Sequence, residues 1–181
     1  MKKLRCMVLA LMLCLPGIGA GAEEMIRSII EDPGEPEYIC VFLEDDTLEI
    51  LSWWNRTEKE ALLIPASLHG HAIVAIGERA FIMKEGLVSV TIPEGVTTIG
   101  RQAFASCPDL VTVTIPDSVT TIGRGAFYYC VHLASVNIPA SVTEIGEDAF
   151  GACYELTLTV SQDSYAEQYC KDHGLNYQYA E

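Results

Sequence analysis

Basic residues are scarce in this chain. Its 181 residues include 25 acidic side chains but only 11 lysines and arginines, so the formal net charge is −14. Nucleic-acid binding needs clustered Lys and Arg to neutralise phosphates, and electrostatic attachment to anionic membranes needs similar clusters. The composition therefore argues against both partners. The simplest role of the acidic surface is solubility.

The sequence also lacks the short motifs by which many enzymes are recognised. It has no Gly-rich phosphate loop and no Gly-x-Ser-x-Gly elbow. It also has no nucleophilic residue that occurs with a general base in a recognisable sequence pattern. His69 and His71 offer two metal ligands, but no third accompanies them, and histidines in a loop are the simpler interpretation. We therefore expect no catalytic activity, no cofactor and no bound metal.

The long apolar run of the chain lies at its N-terminus. A positively charged start, an apolar run over 6–15 and small residues ending at Ala22 predict a secretory signal peptide. The run is too short for a transmembrane helix, and no other stretch is long enough. A lipoprotein signal would use Cys14, but the preceding Leu13 is too large for it. Cleavage after Ala22 removes three basic residues, which lowers the net charge to −17.

A hexapeptide of the form Ile-Gly-x-x-Ala-Phe organises the rest of the chain. It begins at Ile76, Ile99, Ile122 and Ile145, so every step is 23 residues. A fixed period of about 20–50 residues is the signature of a solenoid, in which each repeat forms one coil. Leucine, Ile-Pro and valine positions recur with the same period. The sequence therefore predicts stacked coils around a shared core.

Each coil begins with a strand pattern. Alternation places Val90 and Ile92 in the core and leaves Ser89 and Thr91 outside. A proline follows and ends the strand, because it cannot donate a hydrogen bond to a neighbouring strand.

A turn pattern follows the strand. Gly100 is expected to permit a tight turn. Residues 101–104 are expected to form a short helical turn that brings Ala103 and Phe104 into the core. Stacked coils would then align one phenylalanine per coil into an aromatic spine.

These residues resemble the BspA-like, or treponemal, class of leucine-rich repeats. The pattern is close to L-x-x-V-x-I-P-x-x-V-x-x-I-G-x-x-A-F-x-x-C and covers about residues 60–178. The first coil departs from it by five extra residues between Pro65 and Ile76, and by Lys84 where later coils carry cysteine. The resemblance implies a secreted or surface protein. Several members of the class are associated with adhesion to host proteins or to other cells.

We therefore predict a repeat solenoid of the leucine-rich-repeat type, with short parallel strands, turns and short helical turns. The chain is expected to divide into a signal peptide, a flexible acidic leader and a repeat domain, at residues 1–22, 23–37 and 38–181. Within the domain we expect a β-hairpin cap, about four coils and a helix–strand cap, at residues 38–60, 61–160 and 161–181. The C-terminal cap is marked by the capping-box pattern from Ser164 to Glu167 and by Gly174.

Five cysteines remain after signal cleavage, and an odd number cannot pair completely. Cys107, Cys130 and Cys153 are spaced by 23 and should stack in one column, with neighbouring Cα atoms about 5 Å apart. A ladder of buried reduced thiols is the favoured interpretation. One strained disulfide and a thiolate metal site stay open as alternatives.

Two further features have a structural and a functional interpretation. Of Trp53 and Trp54, we expect one to pack in the N-terminal cap and the other to be partly exposed. A paired-aromatic ligand platform is the alternative. A charge column occupies the repeat positions Glu78, Arg101, Arg124 and Glu147. Pairing across coils in this column would contribute roughly 0–1 kcal/mol.

The favoured function is a secreted or cell-surface protein-binding or adhesion module that uses the concave strand face. Its candidate contact residues point outward from the strands: Ser89, Thr91, Thr112, Thr114, Ser135, Asn137, Thr157 and Thr159. A structural spacer or surface decoration without a specific ligand is the alternative, because threonine is also simply a good exposed strand residue. Partners are expected among host or neighbouring-cell surface proteins, and the protein is expected to be a monomer.

Overall fold

The computed structural model describes residues 37–54, 60–68 and 70–180, which form a solenoid of stacked coils. The predicted signal peptide and all but the last residue of the predicted acidic leader lie outside the described residues. Glu37 itself begins the first strand. The predicted repeat solenoid of the leucine-rich-repeat type is confirmed.

The strands form two sheets on different sides of each coil. Sheet 1 contains β1 Glu37–Phe42, β2 Leu48–Trp54, β4 Ser67–Leu68, β5 His71–Ile76, β7 Thr98–Ile99, β9 Thr121–Ile122 and β11 Glu144–Ile145. Its order is β1-β2-β5-β7-β9-β11, with β4 paired to β5. Sheet 2 contains β3 Glu60–Leu63, β6 Leu87–Thr91, β8 Thr112–Thr114, β10 Ser135–Asn137, β12 Thr157–Val160 and β13 Tyr177–Tyr179. Its order is β13-β12-β10-β8-β6-β3.

The predicted hairpin cap is present at the N-terminal end. β1 and β2 pair in antiparallel fashion across a turn in which Asp46 has a φ of 63°. β2 then pairs in parallel with β5, so the hairpin continues sheet 1 rather than only covering it. The extra residues of the first coil form a second small hairpin, because β4 pairs antiparallel with β5.

The third side of each coil, which we call the turn wall, comprises residues 77–83, 100–106, 123–129 and 146–152. The predicted helical turn at 101–104 is wrong, because consecutive turns occur there and Gln102 has a φ of 54°. Alternate N–H groups donate to the next coil, for example Phe81 to the Ala103 carbonyl at 2.8 Å and Phe104 to the Ala126 carbonyl at 2.7 Å. A helix would direct these groups within its own coil. Both conformations bury Ala103 and Phe104, so the apolar pattern did not distinguish them.

The glycine of the repeated hexapeptide lies where neighbouring coils approach most closely. A Cβ built on Gly100 would lie 2.7 Å from the Ile76 carbonyl oxygen, and one on Gly123 would lie 2.7 Å from the Arg101 nitrogen. Real Cβ atoms do not make such contacts with backbone. The glycine therefore permits stacking as well as the turn that the sequence suggested.

The core is built from columns of identical side chains. The ring centroids of Phe81, Phe104, Phe127 and Phe150 are separated by 4.9, 5.4 and 5.4 Å, and the rings are nearly parallel. Trp53 packs on one end of this stack at 5.8 Å, and Tyr169 meets the other end edge-on at 6.4 Å. The predicted aromatic spine is confirmed, and both caps contribute to it.

The C-terminal cap contains helix α1, Tyr165–His173. Ser164 begins it by accepting a hydrogen bond from the Glu167 N–H, and Gly174 ends it in the left-handed conformation, as the sequence predicted. The helix packs on the last coil through Ala166, Tyr169 and Cys170, whereas Tyr165 is 47% exposed.

The carboxylate of Glu167 is buried in this cap. It accepts hydrogen bonds from Lys171 Nζ at 2.6 Å, Tyr179 Oη at 2.7 Å and the Asp163 N–H at 2.7 Å. These three donors hold the pKa of Glu167 at about 2, below its usual value of 4.5. One carboxylate therefore joins the helix, the strand β13 and the preceding turn.

Replacing Phe104 by alanine should destabilise the protein strongly. The ring is fully buried between two other rings, so its loss should cost about 3–5 kcal/mol of unfolding free energy. Urea denaturation followed by tryptophan fluorescence measures this, and Tyr154→Ala, at a side chain that is 76% exposed, is the control expected within about 0.5 kcal/mol of wild type. If Phe104→Ala does not fold, Phe104→Leu gives a smaller measurable loss. A cost below about 1 kcal/mol would contradict the role of the stack.

The Glu167 cluster should make the cap sensitive to acid. Because folding lowers the pKa from 4.5 to about 2, the carboxylate stabilises the fold above pH 4.5 and loses this contribution as the pH falls towards 2. The stability difference between wild type and Glu167→Gln should therefore be constant above about pH 5 and shrink below it. Urea titrations from pH 7 to 3 test this, with the exposed Glu94→Gln as control. A difference independent of pH would refute the assignment.

Candidate functional site

The predicted contact residues lie together on the outer face of sheet 2. Their backbone pairing aligns them in two rows that run across the strands: Ser89, Thr112, Ser135 and Thr157 in one, and Thr91, Thr114, Asn137 and Thr159 in the other. We call these eight residues the polar stripe. In the last coil Thr157 directly follows the repeat leucine, whereas in the other coils one residue separates the leucine from the first stripe residue. Thr157 and Thr159 therefore join the rows at a spacing of 22 rather than 23.

The stripe is accessible and continues beyond the predicted residues. Five of its side chains are exposed, and Ser89, Thr157 and Thr159 are half-buried. Leu63 on β3 pairs with Thr91 and is 71% exposed, and Gln178 on β13 pairs with Thr159. The sequence pattern missed these two because neither follows the repeat. The second row therefore presents six side chains across six strands, from Leu63 to Gln178.

The polar atoms of the stripe are mostly available to a partner. Among the described residues, Thr159 is the one stripe side chain with a hydrogen bond to protein, which its hydroxyl accepts from Gln178 Nε2 at 3.1 Å. The threonines that precede the strands of sheet 1 differ, because Thr97 and Thr120 donate their hydroxyls to carbonyls of the preceding coil at 3.3 Å. Within the strands of sheet 1, Thr98 and Thr121 also make no hydrogen bond to the described residues, but both are half-buried. Five exposed side chains without a hydrogen bond to the described residues lie on the stripe of sheet 2.

Charged side chains lie on the turn wall instead. Arg101 lies 3.8 Å from Glu78, and Arg124 lies 3.2 Å from Glu147, as the charge column predicted. All four side chains are about half exposed or more, so these pairs contribute at most about 1 kcal/mol each. They support the register of the coils only weakly, and the polar stripe itself carries no charged side chain.

The cysteine column is a ladder of thiols in the core. Cys107, Cys130 and Cys153 each donate to the carbonyl of the phenylalanine one coil earlier, with Sγ to oxygen distances of 3.1 Å. All five cysteines of the described residues have free thiols. The hydrogen bond with Cys107 and burial raise the pKa of Cys130, and burial raises the pKa of Cys153 to about 11. Cys130 and Cys153 are therefore protonated at neutral pH, whereas the hydrogen bond with Cys130 lowers the pKa of Cys107. Burial of Cys107 in the core still favours packing over reaction.

Neither alternative site suggested by the sequence is assembled in the part of the chain that the structure describes. There, no group of three His, Cys, Asp or Glu side chains is placed to hold a metal. His69 lies outside the described residues, and His71 Nδ1 donates to the Asp46 carbonyl at 3.1 Å. Trp53 is packed at 4% exposure beneath Lys84, whose ammonium lies 5.8 Å from the ring centroid. The side chain of Trp54 lies outside those described.

Exposed tyrosines were not singled out from the sequence. Tyr128 and Tyr129 lie on the turn wall with ring centroids 6.4 Å apart, and Tyr165 lies on α1 beside the end of sheet 1. The equivalents of Tyr128 and Tyr129 in the other coils are Ile82 and Met83, Ala105 and Ser106, and Gly151 and Ala152. Aromatic residues at these positions of one coil were therefore the signal in the sequence. Within residues 37–54, 60–68 and 70–180, no helix is long and apolar enough to cross a bilayer.

Comparison with known proteins gives matches in sequence and in structure. The model of the BspA type leucine rich repeat region matches residues 67–170 in six copies. A leucine-rich repeat protein of Bacteroides capillosus is 27% identical, with a TM-score of 0.62, over 74% of this chain and 99% of that one. The leucine-rich repeat protein of T. pallidum is 26% identical, with a TM-score of 0.54, over 72% and 71%. One from Bacteroides ovatus is 28% identical, with a TM-score of 0.53, over 75% and 41%. No curated protein matches.

A thiol titration should find every cysteine of the domain reduced. Protein made without residues 1–22, denatured without reductant, should titrate five thiols, because each is separately buried or hydrogen-bonded to backbone. Before denaturation the reaction should be slow, since the thiols are buried or half-buried, which limits access, and burial raises the pKa values of Cys153 and Cys170 to about 11. A titre of three thiols would mean that one pair has formed a disulfide.

Proposed function

Because the chain belongs to the BspA-type leucine-rich repeat family, we propose that it is a secreted or cell-surface module that binds a protein partner through the polar stripe. It works as a monomer without a catalytic step. Its partners are surface proteins of a host or of neighbouring cells, to which it contributes adhesion.

The observation that supports this most is the unengaged polar stripe. Seven of its eight side chains make no hydrogen bond within the described residues, whereas the hydroxyls of Thr97 and Thr120, which precede strands of sheet 1, donate to backbone carbonyls. Solenoid proteins commonly bind partners on an extended sheet face. A partner that forms hydrogen bonds with these side chains displaces only water from them and breaks no hydrogen bond within the described residues.

The rigidity of the stripe also favours binding. Its strands are fixed on both sides by parallel pairing, and the residues beneath it, such as Val90, Val113 and Val136, are buried in the core. Side chains held on a fixed lattice lose less conformational freedom on association than side chains on a loop. Leu63 adds an exposed apolar contact at one end of the stripe.

Export is supported by the N-terminal sequence. The charged start, apolar run and small residues up to Ala22 have the organisation of a signal peptide. The similar structures come from T. pallidum and Bacteroides, which supports a bacterial setting. The strongly acidic composition favours a soluble domain over attachment to anionic lipid or nucleic acid.

A structural role is the second candidate. In that case the repeats act as a spacer or surface decoration, and the stripe is polar only because threonine and serine suit exposed strands. The uniform coil geometry and the paired charges of the turn wall would serve such a role equally well. The two candidates differ in whether the stripe has a ligand.

Bulky charged residues on the stripe should abolish binding without unfolding the protein. The Thr91→Arg/Thr114→Arg double variant places two guanidinium groups in the centre of the second row, where both side chains are exposed. Its affinity for immobilised extracellular-matrix proteins and for whole neighbouring cells, measured against wild type by biolayer interferometry and cell-binding assays, should fall at least tenfold.

The Thr120→Arg/Thr143→Arg double variant is the matched control, because it places the same charges at exposed positions directly before β9 and β11 of sheet 1. Circular dichroism and thermal unfolding should be unchanged in both variants. Binding that survives the stripe variant would exclude the stripe as the site. Wild-type protein that binds none of the panel would favour the spacer.

A further inference from the structure

A cleft of about 260 Å³ lies between helix α1 and the end of sheet 1, on a different side of the molecule from the polar stripe. The helix supplies Tyr165, Tyr169, Asp172 and His173, and the last coil supplies Ile145 and Glu147. The stacked coils of sheet 1 end here. The cleft therefore lies between one face of the helix and β11, the edge strand at which sheet 1 ends.

The backbone of the cleft carries an unused acceptor. In the preceding coils the carbonyls of Ile76, Ile99 and Ile122 each accept a hydrogen bond of 2.7 to 2.8 Å from the glycine N–H of the following coil. The Ile145 carbonyl occupies the next position of this column. Within the described residues no group donates to it, since the hydroxyl of Tyr169 donates to Gly146 instead, at 3.3 Å.

The side chains of the cleft add acceptors and aromatic faces. His173 Nδ1 lies 2.9 Å from the Tyr169 carbonyl, which can only accept, so Nδ1 carries the hydrogen and Nε2 of the neutral ring is an acceptor. The His173 and Tyr169 rings stack at 4.1 Å, and the Tyr165 ring is exposed beside them.

Two carboxylates complete the cleft. Asp172 accepts one hydrogen bond from Gln168, at 2.7 Å to Oδ1, and Glu147 lies 3.2 Å from Arg124 through Oε2. Each carboxylate therefore keeps one oxygen without a hydrogen bond to the described residues. The lining contains neither lysine nor arginine, and beside the Gln168 amide, the tyrosine hydroxyls and the Ile145 side chain it presents acceptors and aromatic rings, in a chain of net charge −14.

We infer that this cleft binds a guanidinium group, such as an arginine side chain. The group is planar, donates five hydrogen bonds and stacks on aromatic rings, so it meets both the ring faces and the dispersed acceptors. An ammonium group offers three donors from one point and no flat face. An anionic ligand would be repelled by the carboxylates, and a neutral donor would form weaker hydrogen bonds with them than a cation does.

NMR titration of the isotope-labelled protein, made without residues 1–22, tests this inference. N-acetyl-arginine N-methylamide should give saturable shifts at the amides of Tyr165, Asp172 and His173. Its citrulline analogue, which has the same shape without the charge, should bind at least tenfold more weakly. Agmatine is the third ligand: tighter binding of agmatine indicates a free guanidine compound, and tighter binding of the arginine amide indicates a polypeptide.

Substitutions in the cleft test whether the arginine amide binds there. Asp172→Asn and Tyr165→Ala should each weaken binding of the arginine amide at least threefold, since one removes a carboxylate and the other a ring face, both on the exposed side of α1. The matched controls are Glu94→Gln and Tyr154→Ala, which change exposed residues outside the cleft and should leave the affinity unchanged. Shifts that do not saturate, that citrulline reproduces, or that Asp172→Asn leaves unaltered would overturn the inference.

Discussion

Backbone hydrogen bonds between successive coils are the constraint on which this structure depends. Two sheets and the turn wall each join a coil to its neighbour, so every coil must follow the path of the last at about 4.8 Å. Gly100 and Gly123 mark the place where this spacing leaves no room for a side chain. Once the path is fixed, equal positions superimpose. The phenylalanine stack, the thiol ladder and the charge column are consequences of this superposition rather than separate devices.

A stack of this kind must end, and each end is treated differently. At the N-terminal end the hairpin continues sheet 1, and Trp53 covers the first phenylalanine. At the C-terminal end α1 replaces a coil of sheet 1 and the turn wall. Tyr169 makes part of the contacts that a further coil would make. Its ring closes the aromatic stack, and its hydroxyl donates to the Gly146 carbonyl. A single helix cannot reach every group that a coil would pair, which is why the Ile145 carbonyl is left open.

The sequence predicted what repetition determines and missed what depends on conformation between coils. The period, both caps, the aromatic spine, the outward rows of the stripe and the pairing of Arg101 with Glu78 follow from columns of residue types. The turn wall does not, because the left-handed conformation of Gln102 is fixed by hydrogen bonds to a neighbouring coil that local propensity cannot represent. The exposure of Tyr165 depends on packing in the same way, because helical periodicity defines the faces of α1 but its packing on the last coil decides which face is buried.

Repetition also limits what a solenoid surface can recognise. Identical rows of hydroxyls offer the same contact at every coil, so they can align a partner but distinguish little between registers. Discrimination must come from positions that break the pattern. On the stripe these are Leu63, Asn137 and Gln178, which lie in one row. At the C-terminal end they are the residues of the cleft, where acceptors are concentrated because the pattern stops. We therefore expect the residues that make binding by this protein specific to lie where the sequence departs from the repeat. The repeat itself supplies the rigid frame that separates these positions.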